Sequence, residues 1–156
     1  ILSSNHSGTA KRLWKIFTYS ELLLNYAEAL NEADYVGNKT QVCNLLDQIR
    51  HRGGIIGNVA DRADLNSQTA MRNFIHKERT IELAFEEHRW WDVRRWNVAG
   101  DALGRDIYGV NVAADGTITR KVAQKRKWQD KFYLYPIPEA EVWKIGQDFQ
   151  NDGWKE

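Results

Sequence analysis

The sequence predicts a mainly α-helical fold, made of tetratricopeptide-like helical hairpins with one small β-hairpin. Two capped helical patterns lie on either side of a short gap, a third covers residues 67–88, and β-branched runs flank Ala114-Asp115-Gly116. The 156 residues are 42% hydrophobic and 28% charged, which is ordinary for a globular chain of this length. We therefore expect residues 1–156 to form a single unit, with residues 1–10 as a flexible lead-in.

The first two helical patterns predict an antiparallel hairpin. Thr18 and Glu21 have the spacing of a capping box, and Gly37 is expected to end the first helix. Asn38 is expected to cap the second helix, which ends at Gly53. The apolar face of the first helix comprises Tyr19, Leu23, Tyr26, Ala27, Leu30 and Ala33. Because the gap between the helices is short, the second helix has to fold back along the first.

The rest of the chain changes from a helical to an extended pattern. Ser67 to His88 predicts one long helix, and a few more helical turns follow at Trp90–Trp96. The expected apolar face of the long helix comprises Phe74, Ile81, Ala84 and Phe85. Asp115-Gly116 between β-branched runs predicts a β-hairpin, residues 132–135 predict one more extended piece, and Pro138 opens a short last helix.

Charge and cysteine content exclude several classes of protein. With 22 Lys and Arg against 21 Asp and Glu, the net charge of +1 argues against a nucleic-acid partner. No run of about 18 apolar residues predicts a membrane span. The single cysteine, Cys43, cannot form an intramolecular disulfide and is expected to be a buried, inert thiol.

One basic segment suits an anionic ligand. Residues 120–131 contain six basic side chains, one acid and Trp128, a composition that fits single-stranded nucleic acid or an anionic polysaccharide. Such a run is more often a solvated surface, and we favour that interpretation.

Carboxylates on the third helix first suggest a metal or acid–base site. Glu78, Glu82 and Glu86 recur every four residues, but no His-Glu-x-x-His or Glu-x-x-His motif accompanies them. We therefore expect structural ion pairs. Glu82 lies between apolar neighbours and is predicted to be buried and paired with an arginine. The residues predicted to form such pairs are Glu82, Arg79, Arg89 and Asp92, with Arg79 or Arg89 as the partner of Glu82.

No motif for nucleophilic catalysis or phosphate binding is present. The sequence therefore predicts a protein that is not an enzyme, with no catalytic residue, no cofactor and no metal.

Five sequence blocks resemble, in order, the C-terminal half of the SusD/RagB family, from Ile16 to Trp154. They are LNYAEALNE (24–32), IRHRGGI (49–55), ERTIELAFEEHRWWDVRRW (78–96), YPIP (135–138) and QNDGW (150–154). Glu87 stands where the family usually has glycine, Gly53 where alanine is frequent, and Asp152 where proline is common.

The resemblance implies a lipid-anchored protein on the extracellular face of the outer membrane. It implies non-enzymatic capture of nutrient glycans for import through a SusC-like TonB-dependent transporter, as part of polysaccharide utilisation. Long irregular loops on the helical hairpins are also implied. The family's lipid-bearing cysteine belongs to an N-terminal half absent from this chain, so Cys43 is not the anchor.

Ligand-binding residues are expected in the loops, because the five blocks supply helix packing and caps. The candidates are Tyr108 and Trp128, which lie between the arginine-rich block and Tyr135. Two other functions stay open, namely capture of oligopeptides on the same scaffold and a helical adaptor for protein–protein contact.

Overall fold

The computed structural model describes residues 16–155, and the chain forms two compact units that divide between Ala84 and Phe85. The expected lead-in, residues 1–10, lies outside the described residues. The single unit expected for residues 1–156 stays a prediction, because two compact units can belong to one domain. Within residues 16–155, no helix is both long enough and apolar enough to cross a bilayer.

Five α-helices and two strands make up the described chain. The helices are α1 Tyr19–Arg52, α2 Gln68–Glu82, α3 His88–Arg95, α4 Ala99–Leu103 and α5 Glu139–Ile145. The strands β1 Ile107–Val112 and β2 Ile118–Gln124 pair antiparallel. The structure thus confirms the mainly α fold with its helical hairpin and small β-hairpin.

Helix α1 is bent into the predicted hairpin at Asp34, whose backbone is extended (φ −161°, ψ 95°). The amide of Gln41 donates a hydrogen bond to the hydroxyl of Tyr26 at 3.0 Å. In a straight helix these residues would be about 22 Å apart, so the contact requires the chain to fold back. The hairpin is confirmed, but its turn lies three residues before the predicted Gly37.

Asp34, rather than Asn38, caps the second arm of α1. Its Oδ1 accepts the N–H of Gly37 at 3.1 Å, the bond expected of an N-cap side chain. The side chain of Asn38 instead donates to the carbonyl of Leu30 at 3.2 Å, at the end of the first arm. The two arms are therefore held together by side chains on either side of the turn.

The core of the first unit lies between both arms of α1 and helix α2. Its most completely buried side chains are Leu24, Val42, Leu46, Met71 and Ile75. The hydroxyl of Tyr35 donates to the carbonyl of Leu65 at 2.8 Å, which fixes the loop before α2 to α1.

The predicted long helix from Ser67 to His88 is wrong at its C-terminal end. Helix α2 ends at Glu82, and the following turn contains two residues in the left-handed region, Phe85 and Glu87, each with φ of 65°. The expected apolar face is also wrong, since Ile81, Ala84 and Phe85 are exposed and only Phe74 is buried. The buried face comprises Met71, Phe74, Ile75, Glu78 and Arg79. Glu78 and Arg79 can be buried on this face because each has a polar partner on α1, namely Arg50 for Glu78 and Asn25 for Arg79.

The predicted β-hairpin is confirmed, and Asp115 and Gly116 form its turn. The carbonyl of Ala113 accepts the N–H of Gly116 at 2.9 Å, and Gly116 has a φ of 84° that favours glycine. Asp115 Oδ1 accepts the N–H of Thr117 at 2.9 Å. Both strands are largely exposed.

The C-terminal region is folded onto itself by side chains of the last block. The amide of Asn151 donates to the carbonyl of Tyr135 at 2.6 Å, and the indole N–H of Trp154 donates to the carbonyl of Lys131 at 3.0 Å. Residues 132–135 are not the predicted extended piece throughout, because Asp130–Tyr133 forms a 3₁₀ turn.

Candidate binding groove

The second unit concentrates aromatic rings around Trp128. Its indole packs edge-on against Trp90, Phe132 and Tyr133, with ring centroids 6.1, 5.8 and 5.1 Å apart. These separations and tilts are the favoured geometry for aromatic pairs. The packing fixes the orientation of Trp128, and it joins Trp90 to the distant segment 128–133.

Arg94 fixes a second group of rings next to this cluster. Its guanidinium lies over Trp90, Trp91 and Tyr135, at 5.3, 5.5 and 4.4 Å from the ring centroids. Its Nε also donates to the carbonyl of Tyr133 at 3.1 Å. Trp90 in turn donates its indole N–H to the hydroxyl of Tyr135 at 2.8 Å. The arginine-rich block therefore holds Trp90 in place, although Trp90 and Trp91 are 38% and 58% exposed rather than buried.

An open cavity of about 470 Å³ adjoins these rings, and we name it the aromatic groove. Trp90, Trp128 and Phe132 supply its rings, while Leu103 and residues 124–127 complete the lining. Its volume is in the range of sites that bind small molecules.

Two glycines of α4 and its C-terminal end allow the close approach of Trp128. A methyl group on Gly100 would lie 3.4 Å from Trp128 Cδ1. One on Gly104 would lie 3.3 Å from Trp128 Cβ and 2.5 Å from the carbonyl oxygen of Gly100. Trp128 is therefore supported from behind by backbone, which leaves little room for its ring to shift.

The polar side of the groove is cationic. Lys125, Arg126 and Lys127 are exposed and line it in succession. None of the three forms an ion pair with another residue in the range 16–155. The next acidic residue in sequence, Asp130, lines a neighbouring cavity of about 340 Å³ instead. The groove thus combines aromatic surface with unpaired positive charge.

In the described part of the chain, the indole N–H of Trp128 is an unused hydrogen-bond donor. The indole nitrogen of Trp128 is shielded from solvent and has no acceptor among the described residues. A buried donor without an acceptor costs free energy, so the ring contacts of Trp128 have to offset this cost.

The two predicted ligand-binding residues do not share a site. Trp128 lies in the aromatic groove, whereas Tyr108 is not among the lining residues. Tyr108 is half exposed on β1, and the guanidinium of Arg120 lies 3.7 Å from its ring centroid. Sequence reasoning missed Trp90 and Phe132 as partners of Trp128. The basic run beside Trp128 was a sequence signal for a binding surface. No sequence signal indicated the contact between Trp128 and Trp90, which lies 38 positions earlier.

Glu82 has a different environment from the one predicted. Its ion pair is with Arg52, at the end of α1, in place of the predicted Arg79 or Arg89. Its side chain keeps 20% of its exposure and that of Arg52 keeps 63%, so the pair is not buried in the core. The buried carboxylate of α2 is that of Glu78, which pairs with Arg50.

The other predicted ion-pair residues have the following positions. Arg79 is buried and donates to Asn25 Oδ1 at 2.6 Å. Asp92 is buried and lies 3.2 Å from Arg95 Nη2. Arg89 is exposed on α3.

The thiol of Cys43 is buried, and this burial raises its pKa. A raised pKa disfavours the thiolate, the form that acts as a nucleophile. Within the part of the chain that the structure describes, no group of three or more His, Cys, Asp and Glu side chains is placed to hold a metal ion.

Comparison with known sequences identifies the scaffold. The profile of the SusD family matches residues 2–154. Two curated relatives come from Formosa agariphila. SusD-like protein P38 is 36% identical over 93 residues, which cover 57% of this chain and 18% of the relative. SusD-like protein P2 is 30% identical over 144 residues, which cover 90% of this chain and 26% of the relative. The chain therefore spans about a quarter or less of the length of these relatives.

Two solved structures from Bacteroides fragilis NCTC 9343 are similar to this one. A SusD-like protein superposes with a TM-score of 0.75 at 31% identity, over 90% of this chain and 26% of that protein. A SusD-like carbohydrate binding protein superposes with a TM-score of 0.58 at 28% identity, over 82% of this chain and 27% of that protein.

Proposed function

Since the chain belongs to the SusD family, we propose that it takes part in non-enzymatic capture of nutrient glycans, with the aromatic groove as a contact surface. The observation that carries this proposal is the set of rings at the groove, Trp90, Trp128 and Phe132. Sugars present apolar C–H faces that pack on indole rings, and fixed aromatic surface binds at a low entropic cost. A structural neighbour that is described as carbohydrate binding supports the same ligand class.

Titration calorimetry on the full-length gene product, with a panel of oligosaccharides and a panel of peptides, tests this proposal. We expect a glycan to bind, and Trp128→Ala to weaken that binding about fivefold or more, if stacking on the indole contributes as much as a stacked nucleobase does, about 1–3 kcal/mol. Trp143→Ala is the matched control, since Trp143 is 79% exposed on α5 and does not line the groove.

Two results would contradict the groove as the contact surface. One is binding of peptides and of no glycan, which would favour oligopeptide capture. The other is equal glycan affinity of the Trp128→Ala and Trp143→Ala proteins, provided that both keep the circular dichroism of the parent. Tyr108→Ala tests the other candidate in the same assay, and an effect there would place a second contact on the β-hairpin.

The proposal includes the cellular context that the family implies. We place the protein at the extracellular face of the outer membrane, held by a lipid anchor outside this chain, where it delivers its ligand to a SusC-like TonB-dependent transporter. Co-purification of such a transporter from detergent-extracted outer membranes would support this arrangement. Recovery in the soluble fraction with no transporter would contradict it.

Capture without cleavage is the last part of the proposal. Incubation of the full-length protein with its best ligand should return that ligand intact, because the described lining of the groove offers aromatic and cationic side chains but no carboxylate to act as an acid or base. Release of shorter oligosaccharides above the buffer control would show that the protein is an enzyme.

A further inference from the structure

Resting on the proposed glycan capture, we further propose that the aromatic groove selects glycans that carry anionic groups, either carboxylate or sulfate. The proposal concerns the charge of the ligand, which the family assignment leaves open. It depends on the juxtaposition of Lys125, Arg126 and Lys127 with the rings of Trp90 and Trp128 in one cavity.

The charges in the groove are available to a ligand. Some exposed cations of this chain are held in ion pairs, as Arg52 is with Glu82 and Lys144 with Glu141. The three groove cations have no such partner among residues 16–155. No acidic side chain among residues 16–155 lines the groove either. An anion would therefore enter a positive potential without displacing an existing ion pair.

The positive potential is local rather than a property of the whole chain. The net charge is only +1, so the three consecutive cations are offset elsewhere and do not form part of a general basic surface. A nucleic-acid-binding protein would be expected to carry a larger basic excess. The local charge fits a ligand with one or two anionic groups per binding site.

The aromatic side of the groove favours a sugar over an acidic peptide. Trp90 is anchored through its indole N–H to Tyr135, and Trp128 is held by three ring contacts, so both indoles are oriented before a ligand arrives. The side-chain amide of Gln124 adds an uncharged polar group that suits sugar hydroxyls. An anionic sugar would thus meet apolar surface, a neutral hydrogen-bonding group and cations together.

The test compares ligands that share a backbone and differ in charge. Calorimetry on the full-length protein uses oligogalacturonate against its methyl ester for the carboxylate, and dextran sulfate against dextran for the sulfate. We expect at least one anionic member to bind about tenfold or more tightly than its neutral counterpart at low salt. Raising the salt should remove most of that preference, because exposed charges are screened.

The variants are matched in charge and residue type. Lys125→Gln/Lys127→Gln removes two groove cations, and Lys77→Gln/Lys121→Gln removes two exposed lysines that do not line the groove. The first variant should bind the anionic ligand about tenfold more weakly, since each exposed charge contact contributes up to about 1 kcal/mol. The second should bind like the parent.

Each remaining outcome decides between the two proposals. A neutral glycan bound as tightly as its anionic counterpart, or equal effects of the two double variants, would overturn the charge preference while leaving glycan capture intact. Polyglutamate bound as tightly as oligogalacturonate would also overturn it, because the groove would then recognise charge without sugar. Absence of binding to any glycan, charged or neutral, would reject the proposed function itself.

Discussion

The side-chain amide of Gln150 forms two hydrogen bonds with the main chain of Ile137, as a neighbouring strand would. The N–H of Ile137 donates to Gln150 Oε1 at 2.8 Å, and Gln150 Nε2 donates to the carbonyl of Ile137 at 3.0 Å. Pro136 and Pro138 on either side have no N–H to donate, so this segment cannot extend a regular ladder. The YPIP and QNDGW blocks are therefore two halves of one structural feature.

Replacing Gln150 should destabilise the protein by about 1–3 kcal/mol. Gln150 is only 9% exposed. Its replacement by alanine leaves the N–H and the carbonyl of Ile137 without their hydrogen-bond partners. Urea unfolding followed by tryptophan fluorescence measures the effect. Gln147→Ala is the control, since that side chain is exposed and should change the free energy of unfolding by less than about 0.5 kcal/mol. Equal losses of stability in both variants would show that the two hydrogen bonds between Gln150 and Ile137 do not contribute measurably to the free energy of unfolding.

Asp34 and Gly37 should behave as a coupled pair. A methyl group on Gly37 would lie 2.3 Å from Asp34 Oδ2, so Gly37→Ala has to displace the capping carboxylate. We expect the loss of the cap, about 1 kcal/mol, to offset the helix propensity gained by alanine, also about 1 kcal/mol. In an Asp34→Ala background the cap is already gone, and Gly37→Ala should then stabilise the protein by about 1 kcal/mol. A double-mutant cycle from thermal unfolding measures this, and strict additivity would contradict the coupling.

Glu78 and Glu82 should differ in their contributions to stability. Glu78→Gln leaves the largely buried guanidinium of Arg50 without its anionic partner, and we expect a loss of about 2–4 kcal/mol. Glu82→Gln removes a contact with an arginine that is 63% exposed, and the loss should be at most about 1 kcal/mol. Each variant is the control for the other in urea unfolding. A larger loss of stability for Glu82→Gln than for Glu78→Gln would show that burial does not determine how much each ion pair contributes.

The turn after α2 carries strain that glycine should relieve. Glu87 has a φ of 65°, a conformation that an L-residue adopts at a cost of about 1–2 kcal/mol and that glycine adopts readily. Glu87→Gly should therefore stabilise the protein by about 0.5–1 kcal/mol in thermal unfolding. Glu86→Gly, one position earlier and without a positive φ, should destabilise it instead. A loss of stability in both variants would contradict the strain.

Local signals were enough to predict much of the fold. Thr18 does cap α1, with its Oγ1 accepting the N–H of Glu21 at 3.3 Å, and Asp115-Gly116 does form the hairpin turn. These signals depend on residues within four positions of each other. The end of α2 was missed because Ile81 and Phe85 continue an apolar spacing, although the helix stops at Glu82 and leaves both side chains exposed. Periodicity shows that side chains share a face but not whether that face is covered.

The groove was less predictable because its parts are distant in sequence. Trp128 and the cations beside it were recognisable as one composition, and the structure places them together in a cavity. Trp90 joins them through a contact that no spacing rule describes. The partner of Glu82 shows the same limit, since Arg52 lies 30 positions earlier on another helix. Long-range pairing follows from tertiary packing, and a single sequence carries little information about it.

Acid should weaken the link between α1 and α2 at Glu32. The carboxylate of Glu32 accepts from Arg72 Nε at 2.7 Å and from Asn31 Nδ2 at 2.9 Å, and these bonds lower its pKa, with Arg72 as the larger cause. Because the folded pKa is below the unfolded value, the stabilisation is complete above the ordinary carboxyl pKa. It is lost as the pH falls through the lowered value.

The partly exposed pair should contribute about 0.5–1 kcal/mol at neutral pH. A double-mutant cycle of Glu32→Gln and Arg72→Gln, measured by urea unfolding at about pH 7 and about pH 3, isolates the coupling between the two residues from other titrating groups. We expect the coupling free energy to be present at neutral pH and to diminish at acid pH, where the unfolded state binds a proton more readily than the folded state does. A coupling free energy that rises toward acid pH would reverse the sign of the linkage and show that Arg72 does not hold Glu32 in its ionised form.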